Sequence, residues 1–306
     1  MKKIIAVILA TVGFLSIAFG IGYQFKDDIY VFYQEEILKK KDNITITTNK
    51  YYKENDYSYV QNTNDFIAKN ETHLKNIFYT IINSGTENFT FYCDEEYKNC
   101  VDDAIEMVNN QDILSNINNF VHPFNSFNTI NISYDEYGEI IVQIDKVYKE
   151  EEIEELNTLV EEIINDNIKT SMTTKEKVET IHNYIINNGS YATDKIREEN
   201  NNKEYNKAND ILIDKYGICS AYTDAMALFL YKFDLDNYKI ATDSHIWNLV
   251  KVGNEWLHLD LTWDDPITEN GEDKLEIYFL LIDNDRLEEL DTGEHEFNKE
   301  IYKEAL

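Results

Sequence analysis

Cys219 stands directly after a glycine-containing turn, at the head of an apolar pattern, in KYGICSAYTDAMALFLYKF over residues 215–233. Tyr222, Ala225, Met226, Phe229 and Leu230 keep helical spacing, which predicts a helix with Cys219 at or just inside its first turn. There the unpaired N–H groups and the positive end of the helix dipole favour the thiolate, the nucleophilic form of cysteine. The same N–H groups are placed to stabilise an oxyanion formed by attack on a carbonyl. Such a thiol needs a base, most often histidine, and the base needs a third group to orient it.

Both are offered by SHIWNLVKVGNEWLHLDLTWDDP, residues 244–266. HIWNLVKV and EWLHLDLTW alternate like strands and are joined by Gly253 and Asn254. A two-residue turn pairs Val252 with Glu255, sets Trp247 opposite Asp260 and His245 opposite Thr262, and leaves His245 and Asp260 as diagonal neighbours on one face. A three-residue loop would reverse the parity and separate them. His258 shares that face, deeper in the hairpin and opposite Leu249, and competes with His245 as the base. Asp264 and Asp265, beside Pro266, read as turn or cap residues. A Cys/His/Asp zinc site has the ligand types but not the spacings, since catalytic zinc takes three protein ligands. No metal and no cofactor are expected.

These motifs resemble the transglutaminase-like superfamily of papain-type thiol enzymes, in its bacterial membrane-anchored or secreted branch. The resemblance rests on Gly-x-Cys at a helix start (YGICSAY), on His-x-Trp-Asn, and on Asp-x-Thr-Trp-Asp-Asp-Pro, in that order. It covers roughly 170 to 290 and includes Trp247, Trp256 and Trp263, all three tryptophans of the chain, and Tyr191 in NNGSYATD. It implies Cys219 as nucleophile, His245 as general base and acid, and Asp260 as orienting carboxylate. It also implies a core in which a helix carrying the cysteine packs on an antiparallel sheet carrying the histidine and the aspartate. Relatives commonly have Gln-Gly or a similar pair after the cysteine, where this chain has Ser220 and Ala221. The implied chemistry is acyl transfer from amide bonds of proteins or peptides, cell-wall peptide among them, through a thioester. Water as acceptor makes a protease or amidase, and an amine makes a transglutaminase. The alternative is an extracellular binding or assembly module that keeps the fold without the chemistry.

The elements that must position these residues form an α+β chain, with the core preceded by a smaller α+β domain. DFIAKNETHLKNIFYTII reads as a helix, NFTFYC as a strand, and ISYDEYGEIIVQIDKVY as a hairpin turning at Glu136, Tyr137 and Gly138. KEEEIEELNTLVEEIINDNI is an amphipathic helix with an acidic solvated face. Thr173 and Glu176 form a capping-box signature for the next helix, in which His182 reads as an ordinary helix residue. The tail containing His295 reads as a structural continuation.

With 306 residues, 28 basic against 58 acidic, the chain has a net charge of −30, which repels phosphate backbones and excludes nucleic acid as a partner. Ile4–Tyr23 is 20 residues without charge, flanked by Lys2 and Lys3 before and Asp27 and Asp28 after. That is long enough to span a bilayer, with the body outside the cytoplasm. Cleavage near Ser16 and Ala18 would make it a signal peptide instead. The expected organisation is an anchor or signal over 1–26, a polar stalk over 27–59, an α+β domain over 60–165 and the transglutaminase-like domain over 166–306. In an oxidising compartment Cys93 and Cys100 are close enough for a disulfide, with two unpaired core thiols as the alternative.

Overall fold

The capping signals sit where the helices begin. The computed structural model describes residues 16, 19–32, 44–265, 277–290 and 293–306. After a short helix α1 (Lys26–Phe32) come β1 (Ile67–Ala68), α2 (Glu71–Ser84) and β2 (Asn88–Cys93). The Asn70 side chain caps α2 by accepting from the His73 N–H, and Gly85 ends it in the left-handed region. Helices α3 (Cys100–Asn109) and α4 (Gln111–Asn118) lead to the expected hairpin, β3 (Phe127–Tyr134) and β4 (Glu139–Lys146). The sheet runs β1-β2-β4-β3, with β1 and β2 parallel and the other pairs antiparallel. A disulfide joins Cys93 to Cys100, which leaves Cys219 as the free thiol.

Next come α5 (Glu150–Asn167) and α6 (Thr174–Asn188), the latter opened by the Thr173/Glu176 capping box. After β5 (Ser190–Tyr191), α7 (Asp194–Glu199) and β6 (Tyr216–Gly217) comes α8 (Cys219–Lys232), whose first residue is Cys219. β7 (Asn237–Ala241), β8 (Ile246–Val252), β9 (Glu255–Leu259) and β10 (Leu280–Ile282) form an antiparallel sheet in the order β10-β9-β8-β7, followed by α9 (Asn284–Leu290).

That second sheet is buried on both faces. Val250, Val252, Leu257 and Leu259 pack with α5, α6 and α8, whereas Tyr238, Ile240, Trp247 and Leu249 join a cluster with the N-terminal helices and sheet. The core does not break at 165/166, because Ile153, Leu156, Val160 and Ile163 of α5 share the cluster of α8. Residues 44–59, expected within a polar stalk, lie against the body instead. Tyr57 is buried among Phe120, Tyr238 and Trp256, while Lys53 and Asn55 bond to Asp234 and Asp236. Polar composition hid this because a few aromatic anchors carry the packing. Residues 33–43 of that stretch, most of Ile4–Tyr23 with Ala18, and Pro266 lie outside the described residues. Among the described residues no helix is long and apolar enough to cross a membrane.

The Cys93–Cys100 bridge closes a short loop, separation 7. Replacing both cysteines by alanine is expected to lower the unfolding free energy by about 2.5 kcal/mol. Urea denaturation measures this, and an unchanged midpoint would show that the bridge does not constrain the unfolded chain.

Candidate active site

Gly217 is what lets β6 pass the start of α8. A Cβ there would lie 2.8 Å from the Ala221 Cβ and 3.0 Å from the Ile211 Cβ, closer than side chains tolerate. β6 pairs in parallel with β5, so Tyr191 sits beside Gly217, two residues before the thiol. The N–H groups of Cys219 and Ser220 fall in the first turn of α8, ahead of its own ladder.

Helix and sheet are tied at this end. The Thr223 hydroxyl lies between the carbonyls of Cys219 (2.8 Å) and Ile246 (2.9 Å), and Asn248 Nδ2 donates to the Thr223 carbonyl at 3.0 Å. Ile246 follows His245 directly. A turn holds His245 itself: its N–H donates to Thr242 Oγ1 (3.1 Å) and its carbonyl accepts from the Thr242 N–H (2.9 Å).

The hairpin has the expected two-residue turn, with Val252 opposite Glu255 and Gly253 in the left-handed region at φ 68°. The ladder stops at Asn248 and Leu259, so the projected pairs Trp247–Asp260 and His245–Thr262 do not form. Asp260 N–H instead donates to Phe279 O at 3.1 Å, and the chain turns. The parity nevertheless brings the two side chains together. His245 Nε2 meets Asp260 Oδ2 at 2.5 Å, with both groups buried. The Cys219 thiol also acts on His245, favouring the imidazolium. Because Nε2 is committed to Asp260, the nitrogen left to serve the sulfur is Nδ1.

Asp260 is bonded on every side. Oδ1 accepts from the N–H groups of Thr262 (2.9 Å) and Trp263 (3.3 Å), and Oδ2 accepts a second imidazole, His295 Nε2, at 2.8 Å. Burial would push this carboxyl up, but the bonds from His245 and His295 and their charges hold it at about 2. Burial would likewise pull the His245 imidazolium down, and the bond to Asp260 with the influence of Asp260 and Cys219 overcomes it, to about 10. Tyr191, half-buried, is raised by burial and then by the charge of Cys219.

His258, the competing base, is lowered to about 4 by burial and then by His295. Its Nδ1 accepts from Trp247 Nε1 at 3.0 Å, which engages the ring with a tryptophan. His182 is more than an ordinary helix residue. It is fully buried, and its Nε2 lies 3.0 Å from Asp264 Oδ2. Asp264 Oδ1 accepts from the N–H groups of Tyr278 (2.7 Å) and Phe279 (2.9 Å), and Asp265 Oδ2 accepts from Tyr222 OH at 2.5 Å. The two aspartates thus fasten the segment after Asp260 to α6, α8 and the lead into β10. His295, read from sequence as structural continuation, is the site residue that sequence missed. Its signal was its type alone, in a tail with no motif.

His245, Asp260 and His295 are also the one group among the described residues whose donor atoms, within 4.8 Å of one another, are of metal-binding type. Two ligands of one tetrahedral zinc at 2.0–2.1 Å lie about 3.3 Å apart. The contacts of 2.5 and 2.8 Å are those of hydrogen bonds. Beside the site opens a polar cavity of about 1090 Å³. Ser220 and Ser244, chain neighbours of Cys219 and His245, line it together with Asp112, Asn116 and Ser126 of the N-terminal half.

The folded-state pKa of His245 lies above its unfolded 6.5, so its share of stability is complete below about pH 6.5 and lost as pH rises through about 10. Asp260, depressed from 3.8, contributes above that value and loses its share as pH falls through about 2. In Asp260→Asn, burial acts on His245 without the carboxylate. Imidazole NMR is then expected to show His245 titrating at least one unit lower than in the wild type, and an unmoved titration would mean that the carboxylate does not control it.

A family model described as the transglutaminase-like superfamily matches residues 161–261, about a third of the chain. A crystal structure titled as that of a TGase is 12% identical, with a TM-score of 0.34, over 50% of this chain and 48% of that one. A crystal structure of a candidate cysteine protease from Cytophaga hutchinsonii is 12% identical, with a TM-score of 0.26, over 44% of this chain and 61% of that one. The chain therefore spans 48% and 61% of these two solved chains. No curated protein matches the sequence. The fold is α+β with a transglutaminase-like core, the helix headed by Cys219 packing on the antiparallel sheet whose strand ends carry His245 and Asp260.

Proposed function

We propose that the protein is an exported thiol enzyme that transfers acyl groups from amide bonds of proteins or peptides, with Cys219, His245 and Asp260 as its catalytic residues. One observation carries this reading: a single buried imidazole bonds through Nε2 to a carboxylate, and the thiol at the N-terminus of α8 is near enough to favour the charged form of that same imidazole. In that pairing the thiolate attacks the amide carbonyl carbon, and the oxyanion faces the first N–H groups of α8. His245 Nδ1–H passes its proton to the leaving amine as the C–N bond breaks, and a thioester remains. Water or an amine then gives a proton to His245 and attacks the thioester, whose C–S bond breaks to release the acid or a new amide and restore the thiolate beside the imidazolium. The cavity beside Ser220 and Ser244 supplies room and polar walls for an extended peptide. The uncharged Ile4–Tyr23 run, with lysines before it and aspartates after, supports a body outside the membrane, anchored or released by cleavage.

The test reads Cys219 directly, because the other two cysteines are bridged. Alkylation by iodoacetamide is expected to proceed at pH 6 within a fewfold of its rate at pH 9 in the wild type. In His245→Ala the pH 6 rate should fall by about tenfold or more. With peptide substrates, mass spectrometry should find an acyl adduct on Cys219 that is absent in Cys219→Ser. Product analysis with and without a primary amine then separates hydrolysis from transamidation. A thiol with the same pH response in wild type and His245→Ala would sink the enzyme reading in favour of a binding module.

A further inference from the structure

We propose that His295 is a positioning residue, a fourth member of the site supplied by the C-terminal tail, which holds Asp260 ionised and aimed at His245. This rests on the acyl-transfer reading above. The match to the family model ends at residue 261, so His295 lies outside the residues it matches. Asp260 Oδ1 is occupied by the N–H groups of Thr262 and Trp263, which leaves Oδ2 to face the imidazoles. Oδ2 is nearly inaccessible to water, Asp260 being 2% exposed. A second acceptor position on that oxygen left unfilled would be costly, because a buried charged group without its hydrogen-bond partner bears its full desolvation penalty. His295 fills it with an N–H at 2.8 Å.

The ring of His295 has little freedom to leave. It stacks on Phe279 (centroids 5.1 Å apart, 14° between planes) and meets the edges or faces of Trp247 at 4.7 Å and Trp263 at 4.9 Å. It lies across the His245 ring at 82°. A rigid donor on one side of Oδ2 therefore sets where the other lone pair points, toward His245 Nε2. Among the titratable groups around this cluster, Cys219 of α8 acts on His245 and on Tyr191 of β5, Glu294 of the tail acts on Tyr191, and His258 of β9 feels His295, Asp260 and Asp283 before α9. Of these, His258 bonds to Trp247, which leaves His295 as the donor placed to do this for Asp260.

A purely structural plug would behave differently from a donor, and two substitutions separate them. His295→Leu keeps bulk and loses the N–H, and His295→Gln keeps an N–H donor on a side chain of similar reach. The readout is the ratio of Cys219 alkylation rates at pH 6 and pH 9 in the full-length protein. We expect His295→Gln to stay within about threefold of the wild-type ratio. His295→Leu should lower that ratio by about tenfold, the effect of one unit in the His245 titration. Equal ratios in His295→Leu and wild type, with near-ultraviolet circular dichroism showing a folded protein, overturn the proposal. If His295→Leu does not fold, proton NMR of the wild type and His295→Gln decides. Three hydrogen-bonded imidazole N–H resonances at low field are expected, from His182, His245 and His295, with one of them absent in His295→Gln. An identical set of low-field resonances in wild type and His295→Gln overturns the assignment. Failure of the underlying reading has its own signature, a wild-type pH response that His245→Ala leaves unchanged.

Discussion

The carboxylate of Asp260 is an anion with almost no access to water, and the site is organised around making that tolerable. Removing an ionised carboxylate from water costs several kcal/mol even after relaxation, unless its lone pairs are filled. Here four N–H groups fill them, two from the turn that follows the aspartate and two from imidazoles that arrive from different parts of the chain. Each donor constrains an element. The turn ends β9, the first imidazole opens β8, and the second brings in the tail beyond α9. Misplacing any of the three segments would leave a buried charge short of a partner.

Second attachments hold these segments where the carboxylate needs them. Asp264 links the chain after Asp260 to His182 on α6 and to the backbone leading into β10, whose Phe279 carbonyl accepts the Asp260 N–H. Asp265 takes the Tyr222 hydroxyl of α8, and Thr223 and Asn248 join the head of that helix to β8. Thiol, imidazole and carboxylate thus sit on elements fastened to one another, as preorganisation requires. Histidines only a few ångströms apart are set to different states by their partners. Trp247 donates to His258, and burial pushes that imidazolium down to about 4, whereas the carboxylate beside His245 pushes it up to about 10.

The N-terminal half bears on the site through packing. The outer face of the second sheet, with Tyr238, Ile240, Trp247 and Leu249, is covered by the cluster that includes α2 to α4 and the first sheet. The same half contributes Asp112, Asn116 and Ser126 to the cavity beside Ser220 and Ser244. Residues 44–59 bind both halves through Tyr57 and through bonds to Asp234 and Asp236. The segment from 60 to 148, which carries no motif of its own, therefore forms a wall of the cleft.

What the sequence determined by itself is local. The start of α8 at Cys219, the Thr173 capping box, the hairpins at Gly138 and Gly253, and the shared face of His245 and Asp260 all follow from periodicity and turn chemistry over a few residues. The Gly253–Asn254 turn set the parity that puts a histidine and an aspartate 15 residues apart on one face, and the bonds of His245 to Thr242 and of Asp260 to Phe279 beyond the ladder complete their contact. Only the tertiary structure decided the rest. It put His295 on Asp260 across 35 residues and His182 on Asp264 across 82, and it packed a polar-looking segment through Tyr57. Such contacts carry no period and no fixed spacing, because they are chosen by which buried charges and rings still need partners once the chain has closed on itself.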